Sequence, residues 1–243
     1  MAINIDTVYQ KVLTLSNKEQ RGYITPQEFN LLADRAQNEI FENYFYKIRI
    51  TEAKPKSQID YADELEMIEE KLHPFHVDET VNTGSSTLAL PTNIHKIINI
   101  TRDGNEVTQV NKHEIAYTEN NPLLKANLIR SVFVREDSGA ITIYPAPSSS
   151  TYDTDTTSDG LANQESFEVS YYKKPTAPSW GYVVVNEKAL YNVNTSVNFE
   201  LHASEEESLV SRILILTGTT IKQPDLQQAG AQDMQLTNQQ QNN

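Results

Sequence analysis

One helix that cannot stand alone in water constrains this chain more than any other stretch. From Ser204 the sequence runs Glu205, Glu206 and Glu207, then Leu209, Val210, Ile213, Leu214, Ile215 and Leu216, with Gly218 near the end and Pro224 blocking continuation. Acidic residues in a first turn suit the helix dipole, and Ser204 with Glu207 three positions on reads as a capping box. The rest is apolar on most of its surface, the pattern of a helix packed on several sides. Its partners must come from elsewhere in the chain, and the first third supplies the matching helical period.

That first third reads as three helices. Asp6 is placed to cap one carrying Val8, Tyr9, Val12, Leu13 and Leu15. The second opens on Thr25-Pro26 with Glu28 three residues after the threonine, a capping box with proline at the first helical position. Ile24 and Phe29 are spaced for a hydrophobic staple. Its stripe continues through Leu32, Ala36, Ile40, Tyr44 and Ile48 until Lys54-Pro55. The third carries Tyr61, Leu65, Ile68 and Leu72 on one face and Asp63, Glu64, Glu66, Glu69 and Glu70 outside it, and Pro74 stops it. Phe29, Leu32, Ile40, Leu65, Ile68, Leu209, Ile213 and Leu214 are the expected core of a helical bundle.

From His76 the period changes to two. Leu88 and Leu90, Ile98 and Ile100, Val107 and Val110, Val132 and Val134, Ile141 and Ile143, then Phe167, Val169 and Tyr171 alternate. Asp103-Gly104 and Asp137-Ser138-Gly139 mark hairpins. An apolar run at Val183–Val185 and the alternation Val197, Phe199, Leu201 extend the pattern. Residues 148–163, rich in Ser, Thr and Asp, read as a solvated loop. The expected fold class is therefore α+β: a helical bundle from 1–75 closed by 203–222, with an antiparallel β domain, sandwich or barrel, inserted at 76–202. After Lys222 the composition shifts to Gln and Asn with no basic residue, so 223–243 reads as an extended C-terminal arm that builds no core of its own.

Composition narrows the chemistry. The chain has 243 residues, no cysteine, and 33 acidic against 20 basic residues, for a net charge of −13. Disulfides, cysteine-ligated metals and thiol catalysis are excluded. An acidic surface repels phosphates, so broad nucleic-acid gripping is not expected, although DNA can pass such a wall. No apolar run reaches the roughly 20 residues of a membrane span, and the N-terminus shows no secretory pattern. His73, His76 and Asp78 resemble part of a metal site, but Pro74 keeps the histidines off one helical face. His202 reads as a junction residue. Asp155-Thr156-Thr157-Ser158-Asp159-Gly160 resembles the start of a calcium loop, weakened by Thr157 and by Ser166 at the twelfth position. There is no nucleophile elbow and no phosphate-cradling glycine motif. The carboxylates sit mostly in helical charge runs, and Tyr44 and one of Tyr171 and Tyr172 are expected in the core. No enzymatic activity, metal or cofactor is expected.

Phe199-Glu200-Leu201-His202-Ala203-Ser204-Glu205-Glu206-Glu207-Ser208-Leu209-Val210, followed by Ile213-Leu214, Gly218 and Lys222-Gln223-Pro224-Asp225-Leu226-Gln227-Gln228-Ala229, resembles the C-terminal part of tailed-phage head-to-tail connector proteins, the adaptor or ring proteins beneath the portal of short-tailed and crAss-like phages. Tyr23-Ile24-Thr25-Pro26-Gln27-Glu28-Phe29-Asn30, with Ala36-Gln37 and Ile40-Phe41, is similar to their first long helix. Leu90-Pro91, Tyr144-Pro145-Ala146-Pro147 and Val169-Ser170-Tyr171-Tyr172-Lys173-Lys174-Pro175 are similar to their strand segments. The likeness implies a virion neck or tail protein, made in the bacterial cytoplasm and assembled as a ring of about twelve copies. Its partners would be the portal, its own copies and the next tail ring, with DNA passing unbound through the channel and no membrane involved. Gln223, Pro224, Asp225, Leu226, Gln227, Gln228, Met234 and Leu236 would form the portal-docking arm. The rival readings are another neck or tail ring, a β domain that binds a glycan or host surface, and a carboxylate or calcium-dependent hydrolase.

Overall fold

The structure, a computed structural model, describes residues 2–16, 24–53, 60–83, 85–136, 139–147 and 165–221, and in 222–243 only Gln228, Ala231, Gln232 and Gln235. The chain is mixed α+β. In order come α1 (Ile5–Ser16), α2 (Pro26–Ala53), α3 (Asp60–Leu72), β1 (His76–Thr83), β2 (Thr87–Ala89), β3 (Ile94–Arg102), β4 (Asn105–Glu106), β5 (Thr108–Gln109), α4 (Ile115–Asn120), β6 (Val132–Arg135), β7 (Ala140–Tyr144), β8 (Glu165–Lys173), β9 (Tyr182–Val185), β10 (Lys188–Tyr191) and α5 (Glu206–Ile221). It divides into two compact units: a helical unit of residues 1–74 and 175–243, and a β unit of residues 75–174. The β unit thus ends at 174, not at 202 as the alternation suggested.

The helical unit shows why. On α2, Asn30 and Gln37 lie seven residues apart and hold the returning chain by its backbone. Trp180 N–H donates to Asn30 Oδ1 at 2.8 Å. Gln37, fully buried, donates from Nε2 to Thr176 O (2.8 Å) and accepts from Glu200 N–H (3.1 Å). Residues 197–200 run as an extended segment with bridges Ser179↔Val197 and Ile3↔Phe199, the chain bends at Leu201, and Phe199 and Leu201 are fully buried. Period two there records an extended segment laid on the helices rather than a strand of the β unit. At its base Gly181 admits no Cβ, since one would lie 2.7 Å from the carbonyl carbon of Thr195.

The helix starts obey local chemistry with two changes of residue. Thr25 N–H donates to Glu28 Oε2 (3.0 Å) and Glu28 N–H to Thr25 Oγ1 (3.3 Å), the reciprocal box that the sequence spells out. These bonds hold the Glu28 carboxyl below its ordinary range. Ile24 and Phe29 are both buried, as a staple requires. On α1 the cap is Asn4, whose Oδ1 accepts from Asp6 and Thr7 N–H, whereas Asp6 accepts from Trp180 Nε1 at 2.9 Å. Leu15, expected inside, is exposed. Before α5 a 3-10 turn, Ala203–Glu205, is capped by His202, whose Nδ1 accepts from Ser204 N–H, so Ser204 is not the cap. Phe29, Ile40, Ile68, Leu209 and Ile213 are buried, while Leu32, Leu65 and Leu214 are half-buried. Ile215 and Leu216 are also half-buried, so α5 is less enclosed than its composition implies. α5 packs on α1 and α2, and α3 on α2.

The β unit has two four-stranded sheets, ordered β1-β8-β3-β4 and β2-β7-β6-β5. Pairing is antiparallel except that β5 runs parallel to β6. Leu88, Ile141, Ile143 and Phe133 from one sheet and Ile100, Phe167, Val169 and Tyr171 from the other share one apolar cluster with Val107. The Asp103-Gly104 hairpin forms, with both residues at positive φ (49° and 79°) and Arg102 opposite Asn105. The β6–β7 hairpin also forms, with Gly139 at positive φ. Ile98 does not follow Ile100 inward: the register shifts between Ile97 and Asn99, so Ile97 takes the inner position and Ile98 is exposed. Val110 lies beyond β5, outside any strand. Tyr171 is buried and Tyr172, on the opposite face, half-buried.

Candidate interaction surfaces

Most of the expected arm (Gln223, Pro224, Asp225, Leu226, Gln227, Met234 and Leu236) and the 155–160 loop lie outside the described residues. Gln228, Ala231, Gln232 and Gln235 are helical, not extended, at spacings of one helical face. His73 and His76 are exposed; His76 Nδ1 lies 3.6 Å from Asp78 Oδ2, and its ring sits edge-on to that of Tyr172, 6.0 Å between centres. Ser170 Oγ donates to the other oxygen of Asp78 at 2.6 Å. The carboxylate therefore stands between serine and histidine, and a nucleophile relay needs the imidazole there. Among the described residues no group of three or more His, Asp or Glu is placed to hold a metal, and no helix is long and apolar enough to cross a membrane.

What the described residues do present is exposed apolar surface. The first lies in the β unit between β5 and β6. Asparagine and proline punctuate this stretch, and its side chains follow neither strand nor long-helix period. α4 carries Tyr117, and the turns after it carry Leu123, Leu124, Leu128 and Ile129. Tyr117, Leu123 and Ile129 are 77%, 86% and 72% exposed. The loop is nonetheless built. Asn121 Oδ1 accepts from Leu123 N–H (3.0 Å), and Asn121 O accepts from Lys125 N–H (2.8 Å). Asn127 Oδ1 accepts from Ile129 N–H (3.0 Å) and Arg130 N–H (2.8 Å). Ala126 turns inward and is buried.

Arg102 ties this loop to the core. Its guanidinium is 1% exposed, lies 5.6 Å from the centre of the Phe167 ring, and donates from Nη1 to Ser131 Oγ (3.2 Å) and Pro145 O (3.0 Å). Ser131 Oγ in turn donates to Asn127 O at 3.3 Å. Sequence reading missed the loop and its anchor. The available signals were the pairs Leu123-Leu124 and Leu128-Ile129 in a stretch of turn residues, and an arginine two positions after Ile100, hence on its inward face.

The second surface is the β9–β10 ribbon of the helical unit. Its register pairs Tyr182 with Tyr191, Val183 with Leu190, and Val185 with Lys188. Asn186 and Glu187 make the two-residue turn at φ 50° and 64°. Trp180 stacks near Tyr182 (5.8 Å) and Tyr191 (5.7 Å) at the base. Beyond that anchor Val183, Val184, Val185 and Leu190 are exposed. No other strand of the described residues pairs with the ribbon.

Charges of the helical unit pair with one another, one pair buried and one half-exposed. Glu205 pairs with Lys71 at 2.6 Å, and Arg212 with Glu39 at 3.0 Å. Tyr44 lies near Glu205; burial, then that carboxylate, raises its phenol well above the usual value. Burial, then the Lys71 charge, lowers the proton affinity of Lys47. These pairs join helices, and Glu39 and Arg212 also line an open surface hollow with Arg35, Asn38, Glu42, Asn43 and Tyr46. The chain matches no protein-family model and no curated protein sequence.

Proposed function

We propose that this chain is a structural subunit of a tailed-phage neck, a head-to-tail connector ring that docks on the portal through residues 223–243, carries the DNA channel onward and offers a platform for the tail. The finer architecture that goes with this reading is a helical bundle with an inserted β sandwich. The observation that carries it is the pair of apolar surfaces, one on each unit, held in place by hydrogen bonds and turns yet left exposed among the described residues. A subunit with neighbours on several sides needs such surfaces. The net charge of −13 suits a wall past which DNA slides without adhering. The resemblance of the C-terminal stretch to connector proteins supplies the identity of the assembly.

The test is native mass spectrometry of the full chain, and of a chain ending at Lys222, each mixed with the portal ring encoded in the same genome. The full chain is expected to add about twelve copies per portal, because neighbours on a ring raise one another's effective concentration. The shortened chain is expected to fold and not to bind. A full chain that leaves the portal bare, or a shortened chain that still docks, refutes the reading.

A further inference from the structure

We infer that the apolar loop of the β unit docks on the outer face of α3 in a second copy of this chain. The argument is one of complementary chemistry. Around Leu123, Leu124, Leu128 and Ile129 the loop displays Lys125 and Arg130, exposed and without an ion-pair partner among the described residues. α4 carries Glu119, but residues 121–131 have no charge besides this lysine and arginine, so on a chain of net charge −13 these turns are a basic, apolar spot. α3 offers the converse. Glu66, Glu69 and Glu70 are exposed and likewise unpaired among the described residues, and Met67 stands exposed between them. Glu66 and Glu70 are one helical turn apart and Met67 lies three residues before Glu70, so the three share one face. Methionine is an adaptable apolar contact, suited to irregular loop side chains.

The two surfaces differ, so the contact is heterologous: each copy uses its loop on one neighbour and its α3 on the other. Such contacts close into rings or run on as filaments. Closure as a ring rests on the function proposed above; the contact itself does not. The main competitor for a basic, apolar loop is a lipid surface, but the acidity of the whole chain opposes approach to anionic lipid.

The experiment is sedimentation velocity of the full chain over a concentration series, with four variants. Wild type is expected to associate reversibly, and less so at high salt. Lys125→Glu/Arg130→Glu and Glu66→Lys/Glu70→Lys should each raise the midpoint concentration at least about tenfold, because they set like charges face to face. A chain with all four substitutions should associate like wild type, and so should an equimolar mixture of the two double variants. Leu123→Ser/Ile129→Ser tests the apolar part and should weaken association without changing its salt dependence. Circular dichroism melts establish that each variant is folded.

Wild type that stays monomeric overturns the inference, as does a fourfold variant no better than either double variant. Sedimentation of a monomeric chain with phosphatidylcholine/phosphatidylglycerol vesicles also overturns it and assigns the loop to lipid. Failure here with portal docking intact removes this contact alone. A working charge swap with no portal docking removes the portal reading and leaves the contact standing.

Discussion

Replacing Glu205 by glutamine tests what holds the helical unit together. The carboxylate is 6% exposed and sits 2.6 Å from Lys71 Nζ, whose side chain is itself largely buried. Glutamine keeps the shape and removes the charge. Lys71 then stays in the interior without its anion, beside Lys47, whose charged form burial already disfavours. Removing one partner of a buried pair costs about 3–5 kcal/mol. Lys71 retains some solvent contact and can partly rehydrate, which places the loss near about 3 kcal/mol. At about 2–4 °C per kcal/mol the melting temperature falls by about 6–12 °C. The assay isolates the right unit, because the only tryptophan, Trp180, belongs to it and its fluorescence follows that unit's unfolding. The companion variant Lys71→Met/Glu205→Leu removes both charges and should return to within about 1 kcal/mol of wild type, since an apolar pair can replace a buried ion pair at little cost. A loss below about 1 kcal/mol for Glu205→Gln, or a double variant as unstable as either single one, would falsify the reasoning.

Tyr44→Phe removes a buried hydroxyl that has no hydrogen-bond partner among the described residues, and should stabilise the helical unit by about 1 kcal/mol at neutral pH in urea unfolding. The folded phenol resists ionisation, so wild type loses stability as pH rises above about 10, where the unfolded phenol ionises; the variant lacks that loss and its advantage should widen there. Arg102→Met should cost the β unit about 2–3 kcal/mol and raise amide exchange at Ile129 and Arg130, because Ser131 loses its donor; unchanged exchange would refute the anchoring role. Ile213→Asp should unfold the helical unit, whereas Leu214→Asp, half-buried, should be tolerated with a lower melting temperature; equal effects would contradict the burial pattern.

What was legible in the sequence was local or periodic. The Thr25–Glu28 box and the Asp103-Gly104 turn need only residues within one turn of each other, and both form as read. The stripe from Phe29 through Ile40 to Tyr44 also held, because helical period reports one face whatever covers it. Other features depend on distant partners. Asn30 and Gln37 look like surface amides until residues 176–200 fold back across α2, at separations of 150 and 163 residues. The alternation of Val197, Phe199 and Leu201 is the same in a sheet strand and in an extended segment bridged to Ile3, so the domain boundary was misplaced. Ile98 was misjudged because one register shift reverses inside and outside. The β9–β10 turn, Asn186-Glu187, lacks the glycine that flags such hairpins. The exposed loop was invisible for a different reason: leucines in a stretch without period predict neither burial nor exposure.

Rigidity is what separates this loop from a merely sticky one. A flexible apolar segment must be ordered when it binds, at a cost of about 1–2 kcal/mol for each backbone residue fixed. Here Asn121 and Asn127 have already set the turns, and the chain Arg102–Ser131–Asn127 fixes their position on the β unit, so most of that cost falls on folding instead of association. The acidity of the rest of the chain acts in the same direction. Copies with a net charge of −13 repel in most orientations, and the repulsion is relieved where Lys125 and Arg130 meet carboxylates. Apolar area then supplies affinity, and charge selects the register. An assembly built this way should be sensitive to salt in opposite senses: low salt strengthens the local pairs, while at very low ionic strength the general repulsion between copies grows to longer range. Association of wild type that passes through a maximum with ionic strength, and a maximum that disappears in Lys125→Glu/Arg130→Glu, is the signature expected of that balance.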